Sequence, residues 1–245
     1  MRDDEYRGMF ELERTLWWYQ GMREITAAIL DKNLNGHKNL RILDIGCGTG
    51  FSMKWMRERF ATDEVYGVDL FYQAAELWED NDIHTASIAS AEALPFPQNH
   101  FDLLTCFDVI YQLSKAHQEK AVREMHRVLK DGGMLYIREP AYEWMRGSHD
   151  IVVATKHRFT QSRLKKLLSE QGFKINKASY ANTLLFPIAV PHRFLSRLTG
   201  SEESDVKAVH PLMNRTFASA LKIESRLLKH LSFPFGLSVI VLAQK

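Results

Sequence analysis

One segment, RILDIGCGTG at residues 41–50, constrains the fold of this chain more than any other. It opens with a short apolar run, Ile42, Leu43 and Ile45, which is typical of a buried parallel strand. The glycines that follow, Gly46, Gly48 and Gly50, permit a tight turn and a close approach of backbone to a ligand. Helical spacing then resumes. The segment therefore predicts a strand, a glycine-rich loop and a helix whose free N–H groups point at whatever lies over the loop.

An acidic residue two positions before the first glycine indicates which ligand this loop would accept. Asp44 is a carboxylate, which would repel a pyrophosphate and suits a cationic ligand. The dinucleotide fingerprint GxGxxG would also place its third glycine where Phe51 stands. A nicotinamide or other nucleotide fold is therefore the weaker alternative.

Composition narrows the class of protein further. A chain of 245 residues can bury one good core, so we expect one elaborated domain over residues 1–245. The net charge of +2, with basic residues spread out, suggests neither a nucleic-acid partner nor an acidic tail. Two cysteines, Cys47 and Cys106, disfavour a disulfide framework or a metal site and favour a reducing cytoplasm. No signal peptide and no apolar run of the ~20 residues of a spanning helix are visible.

The N-terminal segment is helical by pattern over residues 4–30 and rich in aromatic residues. Trp17, Trp18 and Tyr19 cannot all face one core, because consecutive helical positions diverge by ~100°. We expect residues 1–36 to form a helical lid over the ligand, with packing onto the sheet edge as an equal alternative. Arg23, on the face of Tyr19, is a candidate to hold a carboxylate, or else a solvated surface charge.

Three further strands are predicted to end near the glycine-rich loop. Residues 64–70 form the second, where Asp69 would accept ribose hydroxyls, or only cap a loop. A helix is expected at residues 71–80 and a third strand at 83–88. Residues 101–107 form the fourth strand, after which Asp108 borders the ligand or caps the next helix. Tyr111 follows it on the same side.

The segment Ser90 to Phe96, SAEALPF, adds a resemblance to the glycine-rich loop and Asp69. Together they resemble the class I S-adenosylmethionine (SAM)-dependent methyltransferases, in particular the type 11, ubiquinone-biosynthesis-like group. These commonly read D-A-E-x-L-P-F here, with the aspartate on the adenine amino group. Ser90 replaces that aspartate, and Ala91 keeps the backbone contact available. The implied cofactor-binding residues are Asp44, Gly46, Cys47, Gly48, Gly50, Asp69, Leu70, Ser90, Ala91, Phe107 and Asp108.

A narrower resemblance covers the rest of the chain. A bacterial and archaeal subgroup, often of undetermined acceptor, shares segments like Trp17–Tyr19, Pro140–Asp150, Arg158–Thr160 and Pro234–Ser238. The family implies a Rossmann-like α/β sheet of order 3-2-1-4-5-7-6 with strand seven antiparallel. Residues 37–181 and 234–245 would form this core, and residues 182–233 a helical insertion between strands six and seven.

The resemblance implies methyl transfer from SAM, with S-adenosylhomocysteine as product. Such an enzyme needs residues that bind the acceptor and, for some acceptors, a base. Histidine suits that role at neutral pH. His149, in the loop after strand five, is the first candidate and His157 the second, although a loop histidine is more often a surface residue. The predicted lid and acceptor residues are Trp17, Trp18, Tyr19, Arg23, Tyr111 and Tyr142.

The acceptor side favours a small or amphipathic organic molecule, with oxygen, nitrogen and carbon all open as the methylated atom. No segment typical of nucleic-acid- or protein-methylating enzymes is present. The insertion at 182–233 could roof the acceptor site, form a dimer face, touch a membrane surface or be a simple packed cover. The alternative from another class is a SAM- or nucleotide-binding module without transferase activity.

Overall fold

Seven strands form one mixed β-sheet within the residues that the computed structural model describes, which are 3–34, 39–147, 150, 154–199 and 209–245. They are β1 (Ile42–Ile45), β2 (Val65–Asp69), β3 (Ala86–Ile88), β4 (Phe101–Phe107), β5 (Leu129–Pro140), β6 (Lys174–Ala181) and β7 (Ser238–Gln244). The spatial order is β3-β2-β1-β4-β5-β7-β6. The first five strands pair in parallel, whereas β7 runs antiparallel to β5 and β6. The predicted order and the antiparallel β7 are confirmed.

Helices cover both faces of the sheet. They are α1 (Asp3–Leu12), α2 (Trp17–Asn33), α3 (Phe51–Phe60), α4 (Tyr72–Ala75), α5 (Lys115–Val128), α6 (Gln161–Glu170), α7 (Phe186–Thr199) and α8 (Pro211–Leu228). Side chains of β1 alternate between the two faces, as the pleat requires. Leu43 and Ile45 pack with α5 and α6, whereas Ile42 packs with α2, α3 and α8. The carboxyl ends of β1, β2, β4 and β5 share one edge, where ligands of open α/β sheets bind.

The N-terminal segment is two helices, so the prediction of one continuous helix over residues 4–30 is wrong. The chain turns between α1 and α2, where Glu13 is buried. The first N–H group of α2, on Trp17, donates to Asn214 Oδ1 of α8 at 2.7 Å. Contacts distant in sequence therefore set the break, and a local helical pattern does not reveal them.

The predicted helix at residues 71–80 is also shorter than expected. Only α4 is helical, and a 3₁₀ turn at Glu79–Asn81 follows it. The reason is visible in two hydrogen bonds to the glycine-rich loop. Trp78 Nε1 donates to the carbonyl oxygen of Gly48 at 2.8 Å, and Asn81 Nδ2 donates to that of Thr49 at 2.9 Å. A regular helix would not present both side chains to the loop.

The insertion between β6 and β7 contains α7 and α8. Helix α8 packs against α2 so closely that a Cβ atom on Gly21 would lie 2.2 Å from Leu221 Cδ1. Its fully buried Glu224 accepts hydrogen bonds from the N–H groups of Thr183 at 2.8 Å and Leu184 at 2.9 Å. These bonds fix the point where the chain leaves β6 for α7.

Candidate active site

The glycine-rich loop after β1 requires glycine for two separate reasons. Gly46, Gly48 and Gly50 all have positive φ angles, of 76°, 53° and 84°. A Cβ atom on Gly46 would also lie 2.2 Å from Val109 Cγ2. Gly48 differs, because only side chains of α1 approach it: Met9 Cε at 3.9 Å and Tyr6 Cε1 at 4.0 Å. The loop is therefore packed from below and covered by α1 from above.

Asp69 joins three segments at the carboxyl end of β2. Its Oδ2 accepts a hydrogen bond from the N–H of Gly48 at 2.9 Å. Its Oδ1 accepts from the N–H of Phe71 at 3.0 Å and from the hydroxyl of Tyr6 at 3.2 Å. Burial raises the pKa of Asp69, and these hydrogen bonds oppose the rise. The carboxylate thus faces both the glycine-rich loop and the covering helix α1.

Asp44 is fully buried beneath the loop. Its Oδ1 accepts from Thr105 Oγ1 of β4 at 2.7 Å, and its Oδ2 accepts from the hydroxyl of Ser52 on α3. Burial raises the pKa of Asp44 to about 6, although both hydrogen bonds oppose this. Asp44 therefore ties β1 to β4 and α3, and its predicted contact with a cofactor stays a prediction. Cys47 is also buried, with its thiol packed beside Gly67.

A third buried carboxyl group, that of Glu13, lies in the turn between α1 and α2. Glu13 is 4% exposed and its Oε2 accepts from Thr49 Oγ1 at 2.5 Å. Its Oε1 lies 3.5 Å from the donating Asn81 Nδ2. Burial raises the pKa of Glu13 to about 7, more than the hydrogen bonds from Thr49 and Asn81 lower it. Glu13 thus holds the turn between α1 and α2, at residues 13–16, against the glycine-rich loop. We call this turn the hinge of α1.

Arginines of the same hinge surround the start of α3. Arg23 donates from Nη1 to the carbonyl oxygen of Glu13 at 2.7 Å, and its guanidinium stands 4.8 Å from the ring centroid of Phe51. Arg14 donates from Nη2 to Asn81 Oδ1 at 2.9 Å. Arg23 is therefore bound within the hinge here, and its predicted role of holding a carboxylate stays a prediction.

The residues predicted to border an adenine lie along the ends of β2 and β3. Leu70 is 57% exposed, whereas Ser90 and Ala91 are half-buried. The N–H of Ala89 donates to the carbonyl oxygen of Asp69 at 2.9 Å, which holds the two strand ends together. The hydroxyl of Ser90 accepts from the N–H of Glu92 at 3.2 Å. The structure thus brings these residues to the same edge as Asp69.

An ion pair that the sequence analysis did not identify stands at the ends of β4 and β5. The carboxylate of Asp108 accepts from Arg138 Nε at 3.0 Å and from its Nη2. The guanidinium lies 4.9 Å from the ring centroid of Trp18 and 5.0 Å from that of Phe107. The alternative of Asp108 as a helix cap is wrong, because the N-cap residues of the next two helical segments are Val109 and Ser114.

Glu139, next along β5, holds the turn that follows β4. Its fully buried carboxylate accepts from the N–H groups of Ile110 at 3.0 Å and Tyr111 at 3.1 Å. Burial, and then the charge of Asp108, raise the pKa of Glu139 well above its usual range. One feature of the sequence indicates that Arg138 and Glu139 have a special role. Arg138 and Glu139 are adjacent charged residues at the end of an otherwise apolar strand.

The aromatic residues Trp17, Trp18 and Tyr19 of α2 do not share one set of contacts. Trp17 lies edge-on to Phe217 of α8, with ring centroids 5.2 Å apart. Trp18 meets Tyr19 at 4.9 Å and covers the guanidinium of Arg138. The side chains nearest to Gly48 come from α1, and the predicted role of Trp17, Trp18 and Tyr19 as lid residues stays a prediction.

A cluster of stacked rings lies beyond β5 and β6, and we call it the aromatic cluster. Tyr142, at φ 57°, stacks between Trp144 at 5.3 Å and Tyr180 at 5.1 Å. The other members of the cluster are Phe186, Phe194 and Phe235. Trp144 is 45% exposed, so the cluster borders solvent just after the carboxyl end of β5.

Of the two predicted bases, His149 lies outside the described residues. His157 is half-buried, and its backbone N–H donates to the carbonyl oxygen of Tyr111 at 3.0 Å. Burial, reinforced by Arg163, lowers the pKa of His157, so its neutral form is favoured at pH 7. Asp150, which precedes this segment, pairs with Arg158 at 2.8 Å. Its carboxylate therefore serves that arginine.

Among the described residues, no group of three or more His, Cys, Asp or Glu side chains could hold a metal ion. No helix among them has both the length and the apolar character needed to cross a membrane.

Comparison with known proteins identifies a domain within the chain. Residues 43–137 match the model of the methyltransferase domain family. The ubiquinone/menaquinone biosynthesis C-methyltransferase UbiE of Laribacter hongkongensis is 37% identical over 112 residues, which cover 43% of this chain and 45% of the relative. The UbiE of Neisseria meningitidis is 34% identical over 122 residues, which cover 46% of this chain and 49% of the relative. The chain thus spans less than half of the length of these relatives.

Solved structures extend the likeness in fold to almost the whole chain. A SAM-dependent methyltransferase from Mesorhizobium loti aligns with a TM-score of 0.61 at 16% identity, covering 92% of this chain and 98% of that one. A putative methyltransferase solved in complex with the Haloferax volcanii methyltransferase activator Trm112 aligns with a TM-score of 0.64 at 15% identity. The alignment covers 99% of this chain and 93% of that one. At these identities the likeness concerns the fold alone.

Residues 43–137 thus match the methyltransferase domain family, and the sheet has the order predicted from the resemblance to class I SAM-dependent methyltransferases. At the level of this matched domain, the predicted resemblance to such an enzyme, with SAM as its cofactor, is confirmed. The residues present also fit the cofactor. Asp69 already accepts a hydrogen bond from a hydroxyl group, that of Tyr6, and a ribose offers the same kind of donor. At Gly48 the only described atoms that approach the Cβ position belong to side chains of α1, so the loop backbone there faces α1 and no other described element.

Proposed function

We propose that this chain transfers the methyl group of SAM to a small or amphipathic organic acceptor. The observation that supports this most is the placement of Asp69. It stands against Gly48 of the glycine-rich loop, beneath the helix α1 and on the edge of the sheet that also carries Asp108. A carboxylate there suits a ribose, and the absence of a third glycine at Phe51 disfavours a dinucleotide.

Residues of three strand ends would hold the cofactor. Asp69 would accept the ribose hydroxyls, for which the hydroxyl of Tyr6 must give way. Leu70 and the Ser90–Ala91 segment would border the adenine, and Phe107 would border the sulfonium. When bound, SAM supplies an already activated methyl group, so the protein has to align and shield the reactants.

The remaining residues of the site control water and charge. Helix α1 covers the glycine-rich loop, and Trp18 covers the Arg138–Asp108 pair. Excluding water in this way strengthens each electrostatic interaction inside the site. His157, held neutral by burial, can take a proton from an acceptor, and His149 remains the first candidate predicted from the sequence.

The acceptor side supports an aromatic or amphipathic molecule rather than a polyanion. Tyr142 and Trp144 present stacked rings at the end of β5, with Trp144 open to solvent. Planar aromatic groups stack on such rings. The relatives that match residues 43–137 are named as C-methyltransferases, which supports testing phenols and quinols as carbon acceptors first.

Formation of S-adenosylhomocysteine from SAM tests the proposal. The purified chain would be incubated with phenols, quinols, amines and carboxylic acids, and we expect turnover with an aromatic member of this panel. Trp144→Ala should then raise KM by about tenfold and leave the affinity for S-adenosylhomocysteine unchanged. Replacing whichever of His149 and His157 is the base by alanine should lower kcat by ~10²–10⁴-fold. SAM binding without turnover on any acceptor would instead indicate a binding module.

A further inference from the structure

Tyr6 of α1 uses an acceptor of the carboxylate that a ribose would need. The hydroxyl of Tyr6 donates to Asp69 Oδ1 at 3.2 Å, and the N–H of Phe71 donates to the same oxygen at 3.0 Å. The other oxygen, Oδ2, accepts from the N–H of Gly48 at 2.9 Å. A carboxylate offers about four lone pairs, two on each oxygen. Both lone pairs of Oδ1 are therefore used, and at most one site remains on Oδ2.

A ribose presents two neighbouring hydroxyl groups, and a carboxylate that binds both must offer an acceptor to each. With Tyr6 in place, Asp69 has at most one acceptor to offer. With Tyr6 displaced, one acceptor becomes available on each oxygen, while the N–H groups of Gly48 and Phe71 stay bonded. The phenol hydroxyl and one ribose hydroxyl thus compete for the same lone pair of Oδ1.

The helix that carries Tyr6 is joined to the rest of the structure by few buried side chains. Tyr6 packs with Ala74 and Leu77 in a small buried cluster, distinct from the two larger clusters on the faces of the sheet. From Arg7 to Leu12, the side chains of α1 are half-buried or exposed. The helix has 10 residues, and helices this short are marginal on their own in water. An element with so few buried apolar contacts opens at a low cost in free energy.

The carboxyl-terminal end of α1 is held more firmly, at the hinge of α1. The buried carboxyl group of Glu13 accepts from Thr49 Oγ1 at 2.5 Å, and Arg23 Nη1 donates to the carbonyl oxygen of Glu13 at 2.7 Å. These two bonds tie the hinge to the glycine-rich loop and to α2. Tyr6 lies about two helical turns away from the hinge, toward the lightly packed end. The helix can therefore swing about the hinge without losing its attachment to the loop.

We propose that α1 is a gate that Tyr6 closes on Asp69, so that the cofactor gains its full contact only when Tyr6 releases this carboxylate. Met9 and Tyr6 also lie over Gly48, so the same motion uncovers the glycine-rich loop. A ligand that binds only the open form has an apparent affinity reduced by the fraction of chains that are open. This inference rests on the proposed function, because it takes Asp69 as the acceptor of the ribose.

Tyr6→Phe tests the gate, because it removes the competing hydroxyl and keeps the ring that packs on α4. Titration calorimetry measures the affinity for S-adenosylhomocysteine, and stopped-flow tryptophan fluorescence measures the rates. Trp78 reports on the loop, since its Nε1 donates to the carbonyl oxygen of Gly48. We expect Tyr6→Phe to bind about tenfold more tightly, the scale of one lost hydrogen bond to a charged group. The gain should come from faster association, with an unchanged dissociation rate.

Hydrogen exchange follows the gate without any ligand. Across residues 7–12, exchange should be faster in Tyr6→Phe than in wild type, because the open form is more populated. Tyr66→Phe is the matched control for every measurement. It also removes one tyrosine hydroxyl, but the ring of Tyr66 packs on Phe96 and Phe101, away from α1. This control should keep the wild-type affinity, rates and exchange.

The outcomes separate the gate from the proposed function. Tighter binding with faster association in Tyr6→Phe, together with faster exchange of α1, supports the gate. An affinity that falls or stays unchanged in Tyr6→Phe, while wild type binds S-adenosylhomocysteine, overturns the gate and leaves the proposed function standing. Equal gains in Tyr6→Phe and Tyr66→Phe overturn it as well, as does a gain from slower dissociation alone. No binding by wild type or either variant overturns both the gate and the proposed function.

Discussion

Asp69 is held by three donors at the carboxyl end of β2, and two of them are backbone N–H groups that fix the loops on either side. Its position follows from the sequence alone, because an acidic residue that ends a buried strand after a glycine-rich loop is a local pattern. The hydroxyl of Tyr6, its third donor, comes from 63 residues away. No periodicity in α1 indicates that contact.

Asp69→Asn tests the role of this side chain. The amide keeps the shape but loses one acceptor and the negative charge, so affinity for S-adenosylhomocysteine should fall by ~1.5–3 kcal/mol, the scale of a hydrogen bond to a charged group. Titration calorimetry measures it. Asp102→Asn is the control, because Asp102 begins β4 and pairs with Lys130 at 2.7 Å, away from the carboxyl ends of the strands. Equal losses in both variants would contradict a specific role for Asp69.

Arg138 and Glu139 show where prediction from sequence stops at this scale. Each acts through a partner on the turn after β4, Asp108 for the arginine and three N–H groups for the glutamate. The sequence shows two charges at a strand end but not which groups they meet. Only the register of β5 beside β4 decides that, and it pairs Arg138 with Phe107.

At the scale of elements, strand β4 follows from the sequence and the boundaries of the two N-terminal helices do not. The strand β4 has the predicted bounds, because an apolar run between polar residues marks it locally. The break between α1 and α2 depends instead on Thr49, Asn81 and Asn214, which lie in other elements. The insertion was predicted as helical, and its two helices begin at Phe186 and Pro211.

The hinge of α1 makes stability depend on pH through Glu13. Its pKa in the folded state, about 7, lies above the usual 4.5, so the folded state holds this proton more tightly than the unfolded state. The resulting stabilisation is complete below pH 4.5 and is lost as the pH rises through about 7. At 1.36 kcal/mol per pKa unit, this shift of the Glu13 pKa amounts to at most about 3–4 kcal/mol.

Thermal unfolding from pH 4.5 to 8 measures this contribution of Glu13. Glu13→Gln cannot ionise, so the difference in Tm between wild type and this variant should move in favour of the variant as the pH rises. Glu11→Gln is the matched control, because Glu11 is an exposed glutamate of α1, and its difference from wild type should stay constant. A constant difference for Glu13→Gln as well would show that this carboxyl group is not buried in solution.

The packing of α2 against α8 gives a second prediction at this scale. Gly21→Ala would place a Cβ atom 2.2 Å from Leu221 Cδ1 and 2.5 Å from Leu221 Cβ, so α8 must shift. Overpacking of this kind costs about 1–3 kcal/mol, and the Tm should fall. Gly8→Ala in α1 is the control, since nothing lies within 4 Å of its Cβ position. That change should be neutral or stabilise by about 0.5–1 kcal/mol. An unchanged Tm for Gly21→Ala would contradict the described packing.

At the scale of the whole molecule, the sheet order could be predicted and the outer surface could not. A strand, glycine-rich loop and helix near the N-terminus, followed by alternating strands and helices, indicates a doubly wound sheet. The placement of α7 is different, because its apolar and basic residues alternate in a pattern that fits more than one orientation. Only the structure shows that Arg193 contacts the loop at Gly147.

The central claim is that the site at the ends of β1 and β2 is built for the adenosyl cofactor of a methyltransferase. Titration calorimetry of the purified chain with S-adenosylhomocysteine, and in parallel with NAD, tests it most directly. We expect a clear isotherm with one S-adenosylhomocysteine per chain and no heat of binding with NAD. Affinity for NAD, with none for S-adenosylhomocysteine or SAM, would contradict the claim.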